Sequence, residues 1–444
     1  MLKEWLERQK SDSKSMGLFL IKGYFVLTII CFLGLQLPFF QSGTTSFIDH
    51  IFYSVSIVST TGLAPTNFTD SYSLGGQIFS LFFIQLGGIG YMALSSFVII
   101  KNFKKLPSIS ARLLRLEFNL PQRYPLLAFV YSVIGFTFII ELFGAIALYY
   151  GFKAEGIDSP MWHAIFHSIS AFCTAGFSLF DDSMTRFADN RLINYTILIL
   201  SLLGSLGFIV LLDFLLRVFG KRKRITQTTK IILFSSTVIW LIAAITIYYS
   251  DSSLMSQGLS GFNQTLFQSI SAHTTVGFNS YDIGEINVAG IFVLILIMII
   301  GASPAGTGGG IKTTSITAIL AVLVSILKRR KYVTFFHKEI PSSNIYLAVA
   351  SSLFYSLILC LGTWIILLID GDAFAFEKIF FEVASALSTV GLSTGITGDL
   401  SSSSKIVISL MMFIGRLGVL TIGYALISQA PDLREKHQIE EIAI

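Results

Sequence analysis

Runs of roughly 20 or more mainly apolar residues recur along the whole chain, at 18–37, 74–100, 126–150, 193–216, 231–249, 288–327, 345–369 and 406–427. Each is long enough to cross a hydrocarbon core of about 30 Å as a helix. Inside that core only helices or a closed barrel satisfy every backbone polar group. Of the 444 residues, 53% are hydrophobic and 13% are charged, with a mean hydropathy of +0.74. Soluble domains carry about 25% charged residues, so a water-soluble enzyme is excluded. The chain reads as an all-α polytopic membrane protein with eight transmembrane helices. A net charge of +5 is too small to point to nucleic acid. The three cysteines, Cys31, Cys173 and Cys360, lie in apolar surroundings with no paired spacing, so no disulfide framework is expected. The first apolar run is too long for the core of a signal peptide, and no cleavable leader is expected.

An even number of spans puts both termini on one side. The segments 1–17, 101–125, 217–230, 328–344 and 428–444 hold 23 Lys and Arg, against 4 in the intervening segments 38–73, 151–192, 250–287 and 370–404. Excess Lys and Arg marks the cytoplasmic face, so both termini are expected inside the cell membrane. The basic runs Lys221-Arg222-Lys223-Arg224 and Lys328-Arg329-Arg330-Lys331 fit this rule and headgroup contacts. The outer segments carry 15 Asp and Glu, a net of −11, and an acidic mouth concentrates cations.

Those outer segments also contain apolar stretches too short to span, Phe47–Ser59, Met161–Cys173, Asn263–Thr274 and Lys378–Ser388. Such lengths fit re-entrant segments. The chain thus divides into four copies of helix, half-helix, turn, helix, at 18–100, 126–216, 231–327 and 345–427. The copies align without gaps on Gly62, Gly176, Gly277 and Gly391. Thr stands two before each glycine (Thr60, Thr174, Thr275, Thr389), Ser six before (Ser56, Ser170, Ser271, Ser385) and Phe ten before (Phe52, Phe166, Phe267, Phe381). A four-fold internal repeat dictates architecture before any other feature. Irregular backbone at membrane depth must be buried in protein or line an aqueous cavity. Four such turns about an axis can present a ring of carbonyl oxygens that replaces the hydration shell of a monovalent cation.

The repeated turn after a short helix resembles the Trk/Ktr/HKT superfamily of potassium transport proteins over residues 18–427. Size and short termini are most similar to the bacterial Ktr-type membrane subunit. The resemblance implies four membrane–pore-loop–membrane units around a pseudo-four-fold pore and potassium as substrate. It implies a selectivity filter at Thr60, Thr61, Gly62 and Leu63; Thr174, Ala175, Gly176 and Phe177; Thr275, Val276, Gly277 and Phe278; and Thr389, Val390, Gly391 and Leu392. Some plant members with Ser at the first filter glycine favour sodium, so Gly62 points to potassium. Only one glycine is shared per turn, so a shorter, less stringent filter than that of potassium channels is expected. No cofactor is expected on this chain, and sodium coupling stays open. The resemblance also implies a homodimer seated on a cytoplasmic ring of nucleotide-binding RCK subunits, because the chain shows no nucleotide-binding domain of its own.

The sixth run is interrupted by Gly301-Ala302-Ser303-Pro304-Ala305-Gly306-Thr307-Gly308-Gly309-Gly310-Ile311-Lys312. Gly costs a helix roughly 1 kcal/mol and Pro about 3, so this span must break inside the membrane. Neither the P-loop nor the Rossmann spacing is met, since Ile311 precedes Lys312. The break is either a passive kink or, as the resemblance implies, a mobile gate below the filter. Arg416 lies near the middle of an apolar span, where a charge costs at least about 2.5–3.5 kcal/mol. Carbonyls of the 301–312 segment could partner it; alternatively it pairs with Glu141 or Asp213. By resemblance Arg416 is a barrier residue of the gate. The pattern Gly-x-x-Gly recurs at Gly87–Gly90, Gly204–Gly207 and Gly415–Gly418 in the other repeats. Two other functions use different residues. A secondary transporter of another solute would use Glu141 or Asp213 as coupling groups. A membrane hydrolase would use His163, His167 and Asp182, but these lack a catalytic Glu, and His163 and His167 align with Asp49 and Tyr53 as variable positions of the repeat.

Overall fold

The computed structural model describes residues 2–103, 108–118, 125–220, 224–336 and 338–426. The 428–444 segment and Lys221 to Lys223 of the first basic run lie outside them. Repeat 1 comprises α1 (Leu2–Leu35), the short helix α2 (Phe47–Ser59), and a second helix in two pieces, α3 (Leu74–Ile89) and α4 (Tyr91–Phe103). Repeat 2 follows with α5 (Leu126–Ala154), α6 (Pro160–Phe172), α7 (Arg191–Ser205) and α8 (Phe208–Val218). Repeat 3 has α9 (Gln227–Ser250), α10 (Leu259–Thr274), α11 (Val288–Ile299) and α12 (Thr313–Leu327). Repeat 4 has α13 (Ser342–Asp370), α14 (Phe376–Leu387), α15 (Ser402–Leu417) and α16 (Val419–Leu426). The chain is an all-α polytopic membrane protein with four repeats.

The first helix of each repeat is long and apolar enough to cross a membrane unbroken: Gly17–Leu35 within α1, then α5, α9 and α13. Every second helix is broken. The sequence predicts uninterrupted spans at 74–100, 193–216 and 406–427, and this needs correction. Gly90 (φ 85°), Gly207 (φ 88°) and Gly418 (φ 80°) adopt left-handed backbone, which a right-handed helix cannot pass through and which glycine tolerates without a Cβ penalty. At Gly207 the two pieces diverge by 92°. All four second helices begin alike. Ser73, Asn190, Asn287 and Ser401 accept a hydrogen bond from the backbone N–H three residues on, the N-cap geometry that satisfies an orphan donor.

The outer surface is apolar. On α13, Leu353, Leu357, Leu361, Trp364 and Leu368 are all exposed at helical spacing, as a lipid-facing stripe requires. Inside, the repeated phenylalanines Phe52, Phe166, Phe267 and Phe381 are buried at no more than 2% exposure. The first glycine of each Gly-x-x-Gly pattern sets the approach of second helix to short helix. A Cβ on Gly87, Gly204 or Gly415 would overlap the carbonyl oxygen of Val58, Phe172 or Leu387, in each case four residues before the turn glycine. We therefore expect Gly415→Val to destabilise the fold by about 1–3 kcal/mol through overpacking. Gly135 on α5 has open space around it, so Gly135→Ala should be neutral or stabilising by up to about 1 kcal/mol. Thermal unfolding in detergent checks this; equal midpoints for the two variants would refute the close-approach argument.

Candidate functional site

Each short helix ends in the same turn. Thr60, Thr174, Thr275 and Thr389 are left-handed, with φ between 50° and 59°. The next residue (Thr61, Ala175, Val276 or Val390) returns to negative φ, and the glycine after it is again positive, at 90°, 66°, 78° and 92°. Alternating backbone hand turns successive peptide planes so that their carbonyls share one side. The turn is folded back by hydrogen bonds from Thr61 N to Ser56 O (2.9 Å), Ala175 N to Ser170 O (2.8 Å), Val276 N to Ser271 O (3.1 Å) and Val390 N to Ser385 O (2.8 Å). The repeated serine acts a second time through its side chain. Ser56, Ser170 and Ser271 donate from Oγ to the carbonyls of Leu63 (2.7 Å), Phe177 (2.8 Å) and Phe278 (2.5 Å). In repeats 1 and 4, Gly62 N and Gly391 N donate to Ser56 Oγ and Ser385 Oγ, each at 3.1 Å.

The four turns meet in a closed cycle. A Cβ on Gly62 would strike the carbonyl oxygen of Ala175, one on Gly176 that of Val276, one on Gly277 that of Val390, and one on Gly391 that of Thr61. Each repeat thus packs its glycine against the carbonyl preceding the next repeat's glycine, and the fourth closes onto the first. Residues 100 or more apart in the chain become neighbours only because the glycines leave room.

The broken sixth span lies directly against this ring. Between α11 and α12 the chain leaves helical geometry, and its polar groups are satisfied partly within the segment and partly by repeat 2. Ser303 N donates to Ser205 O (3.1 Å), Thr307 N to Gly204 O (3.2 Å), and Phe208 N to Ala305 O (2.9 Å). The segment therefore fills the break at Gly207, whose Cβ would meet Pro304 O at 2.5 Å. It touches three of the turns itself. Thr307 Oγ1 accepts from Thr174 Oγ1 (2.9 Å); Gly308 abuts Thr275 Oγ1, and Gly309 abuts Ser388 O and Thr389 Oγ1. Lys312 Nζ donates to Gly308 O (2.8 Å), and Thr313 Oγ1 to Gly301 O (3.0 Å).

Arg416 links this segment to the remaining turn, that of repeat 1. Its guanidinium donates to the Thr307 carbonyl, to Thr60 Oγ1 (3.1 Å), and to the carbonyls of Gly87 and Gly88, the latter at 3.3 Å. Gly87 and Gly88 belong to the last turn of α3, whose carbonyls have no partner within the helix. The sequence pattern alone does not mark them as acceptors, although the glycine break behind them is the signal that frees them. The acids considered as partners for Arg416 are engaged elsewhere. Glu141 accepts from Gln85 Nε2 with both oxygens (2.9 and 3.0 Å). Asp213 accepts from Thr229 Oγ1 (2.6 Å) and from Thr226 at the start of α9. His163, His167 and Asp182 form no hydrolase-like set. His167 Nδ1 donates to the His163 carbonyl (2.7 Å), while Asp182 pairs with Arg186 (2.7 Å). No metal-binding group of His, Cys, Asp and Glu occurs among the described residues.

Residues 4–432 match the family model TrkH, described as cation transport protein. The chain is similar to Ktr system potassium uptake protein B of Vibrio alginolyticus, 31% identical over 406 residues that cover 90% of this chain and 88% of that protein. It is also similar to the potassium/sodium uptake protein NtpJ of Enterococcus hirae, 30% identical over 433 residues covering 95% of each. Its fold matches the crystal structure of the potassium transporter TrkH from Vibrio parahaemolyticus, with a TM-score of 0.72 at 21% identity, covering 95% of this chain and 86% of that one. With the four-fold cycle of turns and the broken sixth span, these likenesses make the chain a member of the TrkH family of cation transport proteins.

Proposed function

We propose that this chain is the ion-conducting subunit of a potassium uptake system, with the four Thr-x-Gly turns as its selectivity filter. The observation that carries this reading is the closed cycle of glycine-to-carbonyl contacts among Gly62, Gly176, Gly277 and Gly391, on backbones of alternating hand. Such a cycle can present rings of carbonyl oxygens in place of water around a monovalent cation. The four short helices all end at these turns, so the negative ends of their dipoles favour a cation there. The relatives' names, potassium uptake and potassium/sodium uptake, support potassium as substrate and make sodium the ion to compare it with. A Cβ at Gly62 or Gly277 has no room, so Gly62→Ser and Gly277→Ser should lower potassium-over-sodium discrimination at least tenfold, about 1.4 kcal/mol, or abolish transport. Isotope uptake into cells lacking their own potassium systems, normalised to membrane protein, tests this. Parent selectivity and rate in all four single Gly→Ser variants would refute the filter.

The 301–312 segment with Arg416 is the proposed gate. Support comes from its position against three turns and from the arginine that joins it to Thr60. A plug held by hydrogen bonds rather than by continuous helix can move without unfolding a span. Deleting Gly308–Gly310, or making Arg416→Ala, should raise unregulated cation flux several-fold in reconstituted vesicles. Flux at or below the parent in both variants, with normal insertion, would reduce the segment to a structural kink.

We further infer multi-pass insertion in the cell membrane with both termini cytoplasmic, supported by the Lys and Arg asymmetry. Opening a gate requires something that binds open and closed states differently. A homodimer on a cytoplasmic RCK-type nucleotide-binding ring, the arrangement implied by the family resemblance, supplies it. The basic segment after α12, which carries a two-stranded hairpin (Thr334–Phe335 with Lys338–Glu339), offers a docking surface beside the lower half of the broken span. ATP and ADP should then shift flux in opposite senses only when the ring is present. A nucleotide response of the purified membrane subunit alone would contradict this.

A further inference from the structure

The position nine residues before each turn glycine carries a different polar side chain in every repeat: Tyr53, His167, Gln268 and Glu382. All four are buried at no more than 1% exposure. Burying a hydroxyl, an amide or especially a carboxylate in such surroundings is costly unless hydrogen bonds compensate. In three repeats they do, in each case with at least one bond to the chain that leaves the turn. Tyr53 Oη donates to the Thr66 carbonyl (2.5 Å) and lies 3.0 Å from Thr66 Oγ1. His167 uses Nδ1 as donor to the His163 carbonyl (2.7 Å). Its Nε2 must therefore be the acceptor in the neutral ring, and it receives Ser178 Oγ (3.1 Å) and Leu179 N (3.3 Å). Glu382 accepts from Ser393 Oγ with Oε2 (2.9 Å) and from Thr397 Oγ1 with Oε1.

Donor and acceptor roles change between repeats, yet the segment held is the same: residues two to six beyond the glycine. In repeats 1 and 2 the serine six before the glycine also holds the residue just after it, so there the short helix grips the exit segment at two successive points. The third repeat differs. Neither amide atom of Gln268 has a hydrogen-bond partner.

We propose that Tyr53, His167 and Glu382 are positioning residues that hold the exit side of their turns from behind and so set ion discrimination, while Gln268 leaves the third turn without this anchor. This rests on the filter reading above. A carbonyl ring discriminates between ions only while its oxygens keep their spacing and number, and an unanchored exit strand lets a turn relax around a smaller ion.

The test measures potassium-over-sodium uptake ratios for Tyr53→Phe, His167→Leu, Glu382→Leu, Glu382→Gln, Ser393→Ala and Gln268→Leu, each normalised to the amount in the membrane. Tyr53→Phe, His167→Leu and Glu382→Leu should each lower the ratio at least threefold. Glu382→Gln keeps an acceptor for the hydroxyls and should recover most of the loss. Gln268→Leu should stay within twofold of the parent, because an unpartnered amide has no bond to lose. If Glu382→Leu does not reach the membrane, Ser393→Ala removes the same bond from the strand side and should lower the ratio. Parent ratios in both His167→Leu and Ser393→Ala would overturn the inference, as would a Gln268→Leu loss equal to theirs. Gly391→Ser run in parallel separates the two readings: a changed ratio there with unchanged anchor variants rejects the anchors alone, and no change anywhere rejects the filter.

Discussion

Backbone packed against backbone at the centre of the molecule sets the terms for everything around it. Four glycines lie so close to the carbonyl of the next repeat that no Cβ fits between. Such contacts require the short helices to converge, and converging helices require the second helices to follow them inward. A second tier of glycines, Gly87, Gly204 and Gly415, meets that demand by lying against the carbonyls of Val58, Phe172 and Leu387. The third repeat lacks this tier contact. There Gly301 packs against Gly309 and Gly310, within the segment that occupies the centre instead.

Broken helices explain how a charged arginine can sit among apolar spans. A helix ending in the membrane leaves carbonyls without partners, which is unfavourable, and an arginine there lacks acceptors, which is also unfavourable. Arg416 and the carbonyls of Gly87, Gly88 and Thr307 resolve both together. Lys312 and Gly308 repeat the arrangement within the central segment. These bonds join repeats 1, 3 and 4, so the gate proposed above requires that they exchange together.

Much of the architecture is legible in the chain because the repeats align without gaps. The short helix of repeat 1 runs from Phe47 to Ser59 as its apolar stretch does, and the others agree within four residues at either end. The conserved spacing of Ser56, Ser170 and Ser271 to the glycine also has a direct structural meaning, since each reaches the residue just past it. The breaks at Gly90, Gly207 and Gly418 are not legible in the same way. A lone glycine in an apolar run costs only about 1 kcal/mol in a helix, so hydropathy passes over it. Five glycines and a proline at 301–310 exceed that tolerance and announce themselves.

The sequence by itself determined a membrane protein of four helix, half-helix, turn, helix units, because apolar length and repeat spacing are local properties of the chain. Tertiary structure decided which residues face one another across units. Glu141 went to Gln85 and Asp213 to Thr226 and Thr229, leaving Arg416 to carbonyls. It also brought Tyr53, His167 and Glu382, despite their unlike chemistry, into hydrogen bonds with the segment leaving their turns, while Gln268 at the same position has none. Partner choice depends on what packing brings within about 3 Å, and residues far apart in the chain are brought there only when all four units close the ring.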